Sequence, residues 1–145
     1  MRDEMKLFVD VNLFIDILEK RKGWEESFFI IRDVVEGKNE GYISALTPAI
    51  IYFLRRRSFS EQQAREDVKD SIEGLNIVDL TMEVIELAIN EVKIKDFEDA
   101  LQYHSARLTT KVFVTRNKRH FEKVKDGIEV LTPEEFINRY GSLVY

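Results

Sequence analysis

The sequence predicts an α/β protein: a three-layer α/β/α sandwich with a central parallel sheet of about five strands. Three observations lead there. Five short apolar runs lack helical spacing, and segments of helical period stand between them. The runs are hydrophobic enough for strands covered on both faces. Only two prolines and six glycines in 145 residues leave compact elements joined by short loops.

The first strand is Lys6-Leu7-Phe8-Val9-Asp10-Val11, apolar until it meets a polar cluster. From Asn12 to Glu19, Leu13, Phe14, Ile17 and Leu18 recur at helical spacing, and Gly23 breaks the segment. Trp24 to Glu36 gives a second helix, with Phe28, Ile31 and Val35 on one stripe. Gly37 and Gly41 bracket a turn before strand Tyr42-Ile43-Ser44. Thr47-Pro48 then predicts a helix start, threonine as N-cap and proline at the first helical position. That helix runs to Arg55-Arg56-Arg57.

Ser60 with Gln63 predicts a capping box for a helix that ends near Gly74. A third strand follows at Asn76–Leu80, then a helix from Thr81 to about Val92. Asp96 opens a helix from Phe97 to about Thr109, and Val112–Thr115 is the fourth strand. Asn117–Val124 reads as a short helix and Ile128–Leu131 as the fifth strand. Thr132-Pro133-Glu134-Glu135 is a capping box for a last helix to about Tyr140. No repeat, low-complexity tract or linker interrupts residues 1–145, so one domain is expected.

Composition narrows the function. There are no cysteines, which excludes a disulfide scaffold, a thiolate zinc site, an iron–sulfur cluster and a cysteine nucleophile. This fits a reducing cytoplasm, the expected location. No stretch approaches the roughly 20 apolar residues that span a bilayer, and the N-terminus lacks a signal-peptide pattern. With 22 Lys+Arg against 27 Asp+Glu the formal charge is −5, which argues against coating nucleic acid by bulk charge. It leaves open an enzyme that meets phosphates through a bound metal. Glycine-rich phosphate loops and serine nucleophile elbows are absent.

In a parallel sheet, sites lie beyond the carboxyl ends of the strands. Asp10 and Asn12 follow strand one, and Thr115, Arg116 and Asn117 follow strand four. Asp96 and Asp99 are three apart at a helix start and share a face. Carboxylates with little histidine make a hard oxygen site suited to Mg²⁺ or Mn²⁺ rather than zinc. Such sites hydrolyse phosphodiesters. Each acid also has a structural reading: Asp96 as an N-cap worth ~1 kcal/mol, Asp99 as a complement to the helix dipole, Asp10 as a strand end. His104 and His120 are the only histidines, and a lone helical histidine is more often packing than chemistry. Arg55-Arg56-Arg57 reads as a dipole complement or as an RNA-phosphate contact, with Arg116, Lys118 and Arg119 as a second basic group.

Taken together these segments resemble the PIN-domain (PilT N-terminus) family. The matching segments are Phe8-Val9-Asp10-Val11-Asn12-Leu13-Phe14-Ile15-Asp16, Ser44–Tyr52, Lys95-Asp96-Phe97-Glu98-Asp99-Ala100-Leu101-Gln102 and Val114–Phe121. Val130–Phe136 closes the pattern. The third match is the most specific, and the four together, in order, cover nearly the whole chain. The resemblance implies a metal-dependent endoribonuclease, of the kind found as the toxin of VapBC-type toxin–antitoxin pairs. It implies Asp10, Asp96 and Asp99 as catalytic acids and Mg²⁺ or Mn²⁺ ligands, with Asn117 as a further ligand. Asn12, Thr115, Asp16 and His120 would support them from behind. Arg116, Lys118 and Arg119 would contact RNA. A metal-bound water would attack in line, leaving a 5′-phosphate and a 3′-hydroxyl. A small antitoxin and a homodimer are the implied partners, with Trp24, Phe28, Phe29, Tyr52 and Phe53 as apolar contact residues.

The sequence departs from the family pattern in the second motif, where Ile50 stands at the position of a glutamate. One carboxylate is thereby lost, and divalent affinity falls with ligand charge. Glu98, one position before Asp99, is expected to point away. Two alternatives therefore stand beside the ribonuclease: a non-catalytic PIN-like module that binds RNA or protein, and an unrelated α/β protein whose carboxylates are caps.

Overall fold

The structure, a computed structural model, describes residues 4–141. The outermost residues of the expected 1–145 domain lie outside that range. Five parallel strands form one sheet in the order β3-β2-β1-β4-β5. They are β1 (Lys6–Val9), β2 (Glu40–Ser44), β3 (Asn76–Val78), β4 (Val112–Val114) and β5 (Glu129–Leu131). Helices α1 (Val11–Glu19) and α2 (Trp24–Val35) follow β1; α3 (Thr47–Arg56) and α4 (Glu61–Ile72) follow β2. Helices α5 (Met82–Ile89) and α6 (Phe97–Thr109) precede β4, a 3₁₀ turn spans Lys118–Phe121, and α7 (Pro133–Tyr140) ends the described chain. The expected sandwich of about five parallel strands is what forms.

Strand alternation divides the core. Leu7, Val9, Ile43, Val112, Val114 and Leu131 point to one face, where α1, α2, α3 and α7 supply Phe14, Ile30, Ile51 and Phe136. Phe8, Tyr42, Phe113 and Val130 point to the other, against Val84, Leu101, Tyr103 and Phe121. The central strands β1 and β4 are almost wholly buried because both faces are covered. That explains why they read as continuous apolar runs.

The start of α3 differs from expectation. Leu46 already has helical backbone angles, and Thr47 makes no capping bond. Its hydroxyl is buried without a partner among the described residues, while Ser44 Oγ accepts from Leu46 N–H at 3.0 Å. The serine at the strand end reaches the turn first, so the helix begins before threonine can cap it. At α4, Ser60 caps as expected through Gln63 N–H; the full reciprocal capping box forms at Thr132 and Glu135.

The sheet order carries the functional consequence. From β1 the chain winds outward through β2 and β3, then crosses back to place β4 on the other side of β1. The β1/β4 boundary is the topological switch point, where a crevice opens beyond the strand ends.

Candidate active site

Asp10 follows β1 at that crevice. Its N–H donates to the Val114 carbonyl at 3.0 Å, extending the β1/β4 ladder by one residue. Although Asp10 precedes α1, its side chain makes no capping bond. The carboxylate turns into the crevice instead, with the residue only 2% exposed. Thr115, the equivalent residue after β4, donates its hydroxyl to Asp10 Oδ2 at 2.7 Å. Asn12 Nδ2 donates to the same oxygen at 3.2 Å. Thr115 Oγ1 also accepts from Asn117 N–H at 3.1 Å, which fixes its hydroxyl. Asn12 and Thr115 thus stand where the sequence places them, behind Asp10.

The third segment arrives on α6. Asp96 Oδ1 accepts from Asp99 N–H at 2.9 Å, so Asp96 is the N-cap of this helix. Asp96 and Asp99 both line a cavity. His120 approaches from the 3₁₀ turn, its Nδ1 2.8 Å from Asp99 Oδ2. A carboxylate only accepts, so the imidazole proton lies on Nδ1.

The electrostatics favour a cation. Burial pushes the Asp10 pKa up to about 6, against the opposing hydrogen bonds from Thr115 and Asn12, and the charge of Asp99 adds to the rise. Burial also raises Asp99, opposed by the His120 hydrogen bond and assisted by Asp96. No lysine or arginine figures among the groups acting on either carboxylate. Among the described residues, no three His, Asp or Glu side chains are arranged to hold an ion between them. The donors are therefore two buried carboxylates, Asp10 and Asp99, with a cavity opening beside Asp99. That fits Mg²⁺ or Mn²⁺, which bind through one or two carboxylates and keep several waters.

Four expectations need correction. Glu98 does not point away: burial raises its pKa and the charges of Asp10, Asp96 and Asp99 raise it further, so its carboxyl shares their field. The single-position offset on the helix misleads here because Phe97, half-exposed, marks the outer side of the first turn. Asp16 does not join the cluster; its buried carboxylate is engaged by Arg116 Nε. Arg116 is no free RNA contact, since it also bonds Glu134 at 2.9 Å and the Gly23 carbonyl. Lys118 is held by both oxygens of Glu135, at 3.0 and 2.9 Å. Of that basic group, Arg119 has no ion pair among the described residues. Likewise Arg55 pairs with Asp67 at 2.8 Å, and Arg56 lies 3.5 Å from Glu61.

Gly23 permits the Arg116 clamp. It has φ +86°, and a Cβ there would fall 2.7 Å from the guanidinium. Ile50 is half-buried and packs onto the core shared by α1 and α3. Asn117 is tied to the site by its backbone; its side chain makes no hydrogen bond among the described residues. Gln102 was silent in the sequence. It lies one turn beyond Asp99 on the same face, 1% exposed, with both amide atoms unpartnered among the described residues. His104 is packing: its Nε2 meets Glu91 at 2.8 Å, and Arg107 Nε donates to its Nδ1 at 3.3 Å.

Comparison with known proteins bears on the family and the fold. Ribonuclease VapC1 of Aquifex aeolicus is 29% identical over 143 residues, covering 95% of this chain and 97% of that protein. The fold is shared with VapBC2 from Rickettsia felis bound to a DNA fragment from its promoter (TM-score 0.66, 17% identity, covering 88% of this chain and 98% of that one). It is shared equally with VapBC-1 from nontypeable Haemophilus influenzae (TM-score 0.66, 17% identity, 90% and 99% covered). The PIN-domain family profile matches residues 6–119, so this chain belongs to the PIN-domain family.

Proposed function

We propose that this chain is a metal-dependent endoribonuclease, the toxin of a VapBC-type toxin–antitoxin pair, using Mg²⁺ or Mn²⁺. One observation carries the reading: two buried carboxylates, Asp10 and Asp99, meet at the sheet's switch point with no lysine or arginine among the groups acting on them, Asp99 facing the His120 imidazole. Burying carboxylates without full counter-charge is costly, and a divalent ion removes the cost.

Asp10 and Asp99 would hold the ion, with Asp96 through water. When bound, the ion supplies an acidified water and charge neutralisation on the phosphate. Thr115 and Asn12 fix the rotamer of Asp10, and His120 fixes that of Asp99. Glu98 adds negative charge that strengthens the attraction for a cation.

The antitoxin partner fits a separate surface. Helices α1, α2 and α4 enclose an apolar groove of about 310 Å³, lined by Phe14, Leu18, Phe28, Ile31 and Val35. Phe28 is 41% and Val35 53% exposed, suited to an apolar partner helix. Among the described residues no helix is long and apolar enough to cross a membrane.

Mn²⁺ calorimetry on wild type and Asp99→Asn, beside cleavage of end-labelled RNA, tests the reading. Wild type should bind and cut; Asp99→Asn should lose cleavage and bind manganese roughly tenfold or more weakly. A wild type that neither binds millimolar manganese nor cuts RNA overturns it. That result would favour the second reading, a non-catalytic PIN domain, which Ile50 motivates.

A further inference from the structure

A cavity of about 290 Å³ opens beside Asp96 and Asp99, between the α5–α6 loop and the 3₁₀ turn. Four cations rim it: Lys93 and Lys95 from the loop, Arg119 and Lys123 from the turn and the residues after it. All four are exposed, and among the described residues none is in an ion pair. Arg116 and Lys118, close by in sequence, are each drawn onto carboxylates instead. Set against Asp96, Asp99 and Glu122 on the same lining, these four cations leave the opening slightly positive in a chain of net charge −5.

We propose that this rim is the track for the RNA backbone: Lys93, Lys95, Arg119 and Lys123 bind the phosphates that flank the scissile one, on a single strand. The inference rests on the ribonuclease reading and adds where the substrate runs. An acidic cluster that attracts a metal also repels a polyanion, so RNA needs compensating charge next to it. The rim supplies that charge within one cavity's width. Lysine and arginine on flexible stems suit sequence-independent phosphate contact. The cavity lies at the lower limit of small-ligand pockets, roughly 300 Å³, so it takes a nucleotide rather than the face of a duplex. The α1/α2/α4 groove, apolar and without such a rim, offers no comparable track.

The test uses the Asp99→Asn chain, expected to hold RNA without cutting it, and a short fluorescein-labelled single-stranded RNA followed by anisotropy across a salt series. Adding Lys95→Ala and Lys123→Ala should weaken binding about tenfold at low salt. It should also flatten the log–log salt dependence by up to about 1.4, at ~0.7 for each lost phosphate contact. Lys95→Arg with Lys123→Arg should restore both values, and Lys69→Ala on α4 should change neither. Lys93→Ala with Arg119→Ala should repeat the loss from the other pair. Unchanged affinity and slope in both double variants, while the parent still binds, would place the RNA elsewhere and leave the ribonuclease reading standing. Equal affinity for the matching duplex would overturn the single-strand assignment. A parent that binds no RNA, with a wild type that cuts none, would remove both readings together.

Discussion

Thr115 Oγ1 donates to Asp10 Oδ2 at 2.7 Å, joining residues 105 positions apart in the chain. The contact exists because β1 and β4 pair in parallel register, Val9 against Val114, so the next residue of each strand emerges at the same edge. A hydroxyl that donates to a buried carboxylate favours its ionised form. Thr115→Val keeps the shape and removes the donor, so the Asp10 pKa should climb further above about 6. More of the residue is then protonated near neutral pH, and a protonated acid is a poor metal ligand. The acid limb of the RNA-cleavage pH profile should move to higher pH in Thr115→Val. Superimposable limbs would show that the hydroxyl does not tune Asp10.

The same carboxylate makes the metal-free protein sensitive to pH. Its folded pKa, about 6, lies above the ordinary 3.8. Between those values the folded state binds more protons than the unfolded state, so stability falls as pH rises through the window. The contribution is fully present below about 3.8 and lost above about 6. Asp10→Asn removes the ionisation and should stabilise the chelator-treated protein by about 1–2 kcal/mol at neutral pH. The gain should shrink toward pH 4, read by denaturant melts across the range. A gain that persists unchanged in acid would mean that something other than charge is responsible.

Arg116 is the corresponding case of a residue whose role is structural. Its guanidinium links Asp16 on α1, the Gly23 carbonyl and Glu134 on α7. Arg116→Ala would leave Asp16, 4% exposed at its side chain, without its partner. Breaking a pair of this kind costs about 3 kcal/mol. Arg116→Lys should recover little, because one ammonium cannot reproduce a three-way fork. RNA affinity in the Asp99→Asn background should stay within about twofold in whichever variant remains folded, as expected for a charge already engaged within the protein. A large loss of RNA binding with normal stability would return Arg116 to the substrate.

Gln102 offers a separate test. Both ends of its amide are buried without a partner, which costs about 1–3 kcal/mol. Gln102→Met, close in shape, should raise stability by about 1 kcal/mol. If cleavage falls while stability rises, the amide serves the site from one turn beyond Asp99.

The contrast between legible and illegible features has a physical pattern. Strands β1 and β4 could be read because double-sided burial writes itself as an unbroken apolar run. Asp10, Asn12 and Thr115 could be placed because parallel topology sends the ends of β1 and β4 to one edge, and Asp96 and Asp99 because they open the helix that leads back into β4. The fates of Arg116 and Lys118 could not, because ion pairs join residues distant in sequence, 116 to 16 and 118 to 135. Thr47 was misread for a local reason: two residues competed for the same turn, and Ser44 took it. Gln102 gave no signal, since a buried glutamine inside a helical apolar stripe looks like an exposed one in sequence.

Ile50 and Glu98 pose the question on which catalysis turns. Ile50 sits half-buried, packed against the core. Glu98, on the opposite side of the sheet with α6, shares the field of Asp10, Asp96 and Asp99. Charge near a metal site raises affinity even from a position that does not touch the ion. Glu98→Gln should therefore weaken Mn²⁺ binding by roughly threefold to tenfold while leaving the fold intact, as calorimetry and thermal melts would show together. Ile50→Glu should act in reverse: tighter manganese at a cost of about 1–2 kcal/mol in the metal-free chain, since apolar packing is exchanged for a partly buried charge. The two changes combined should return affinity toward wild type. If Glu98→Gln leaves manganese binding unaltered, the acidic field of this site comes from Asp10, Asp96 and Asp99 alone, and Ile50 marks a loss that no other residue offsets.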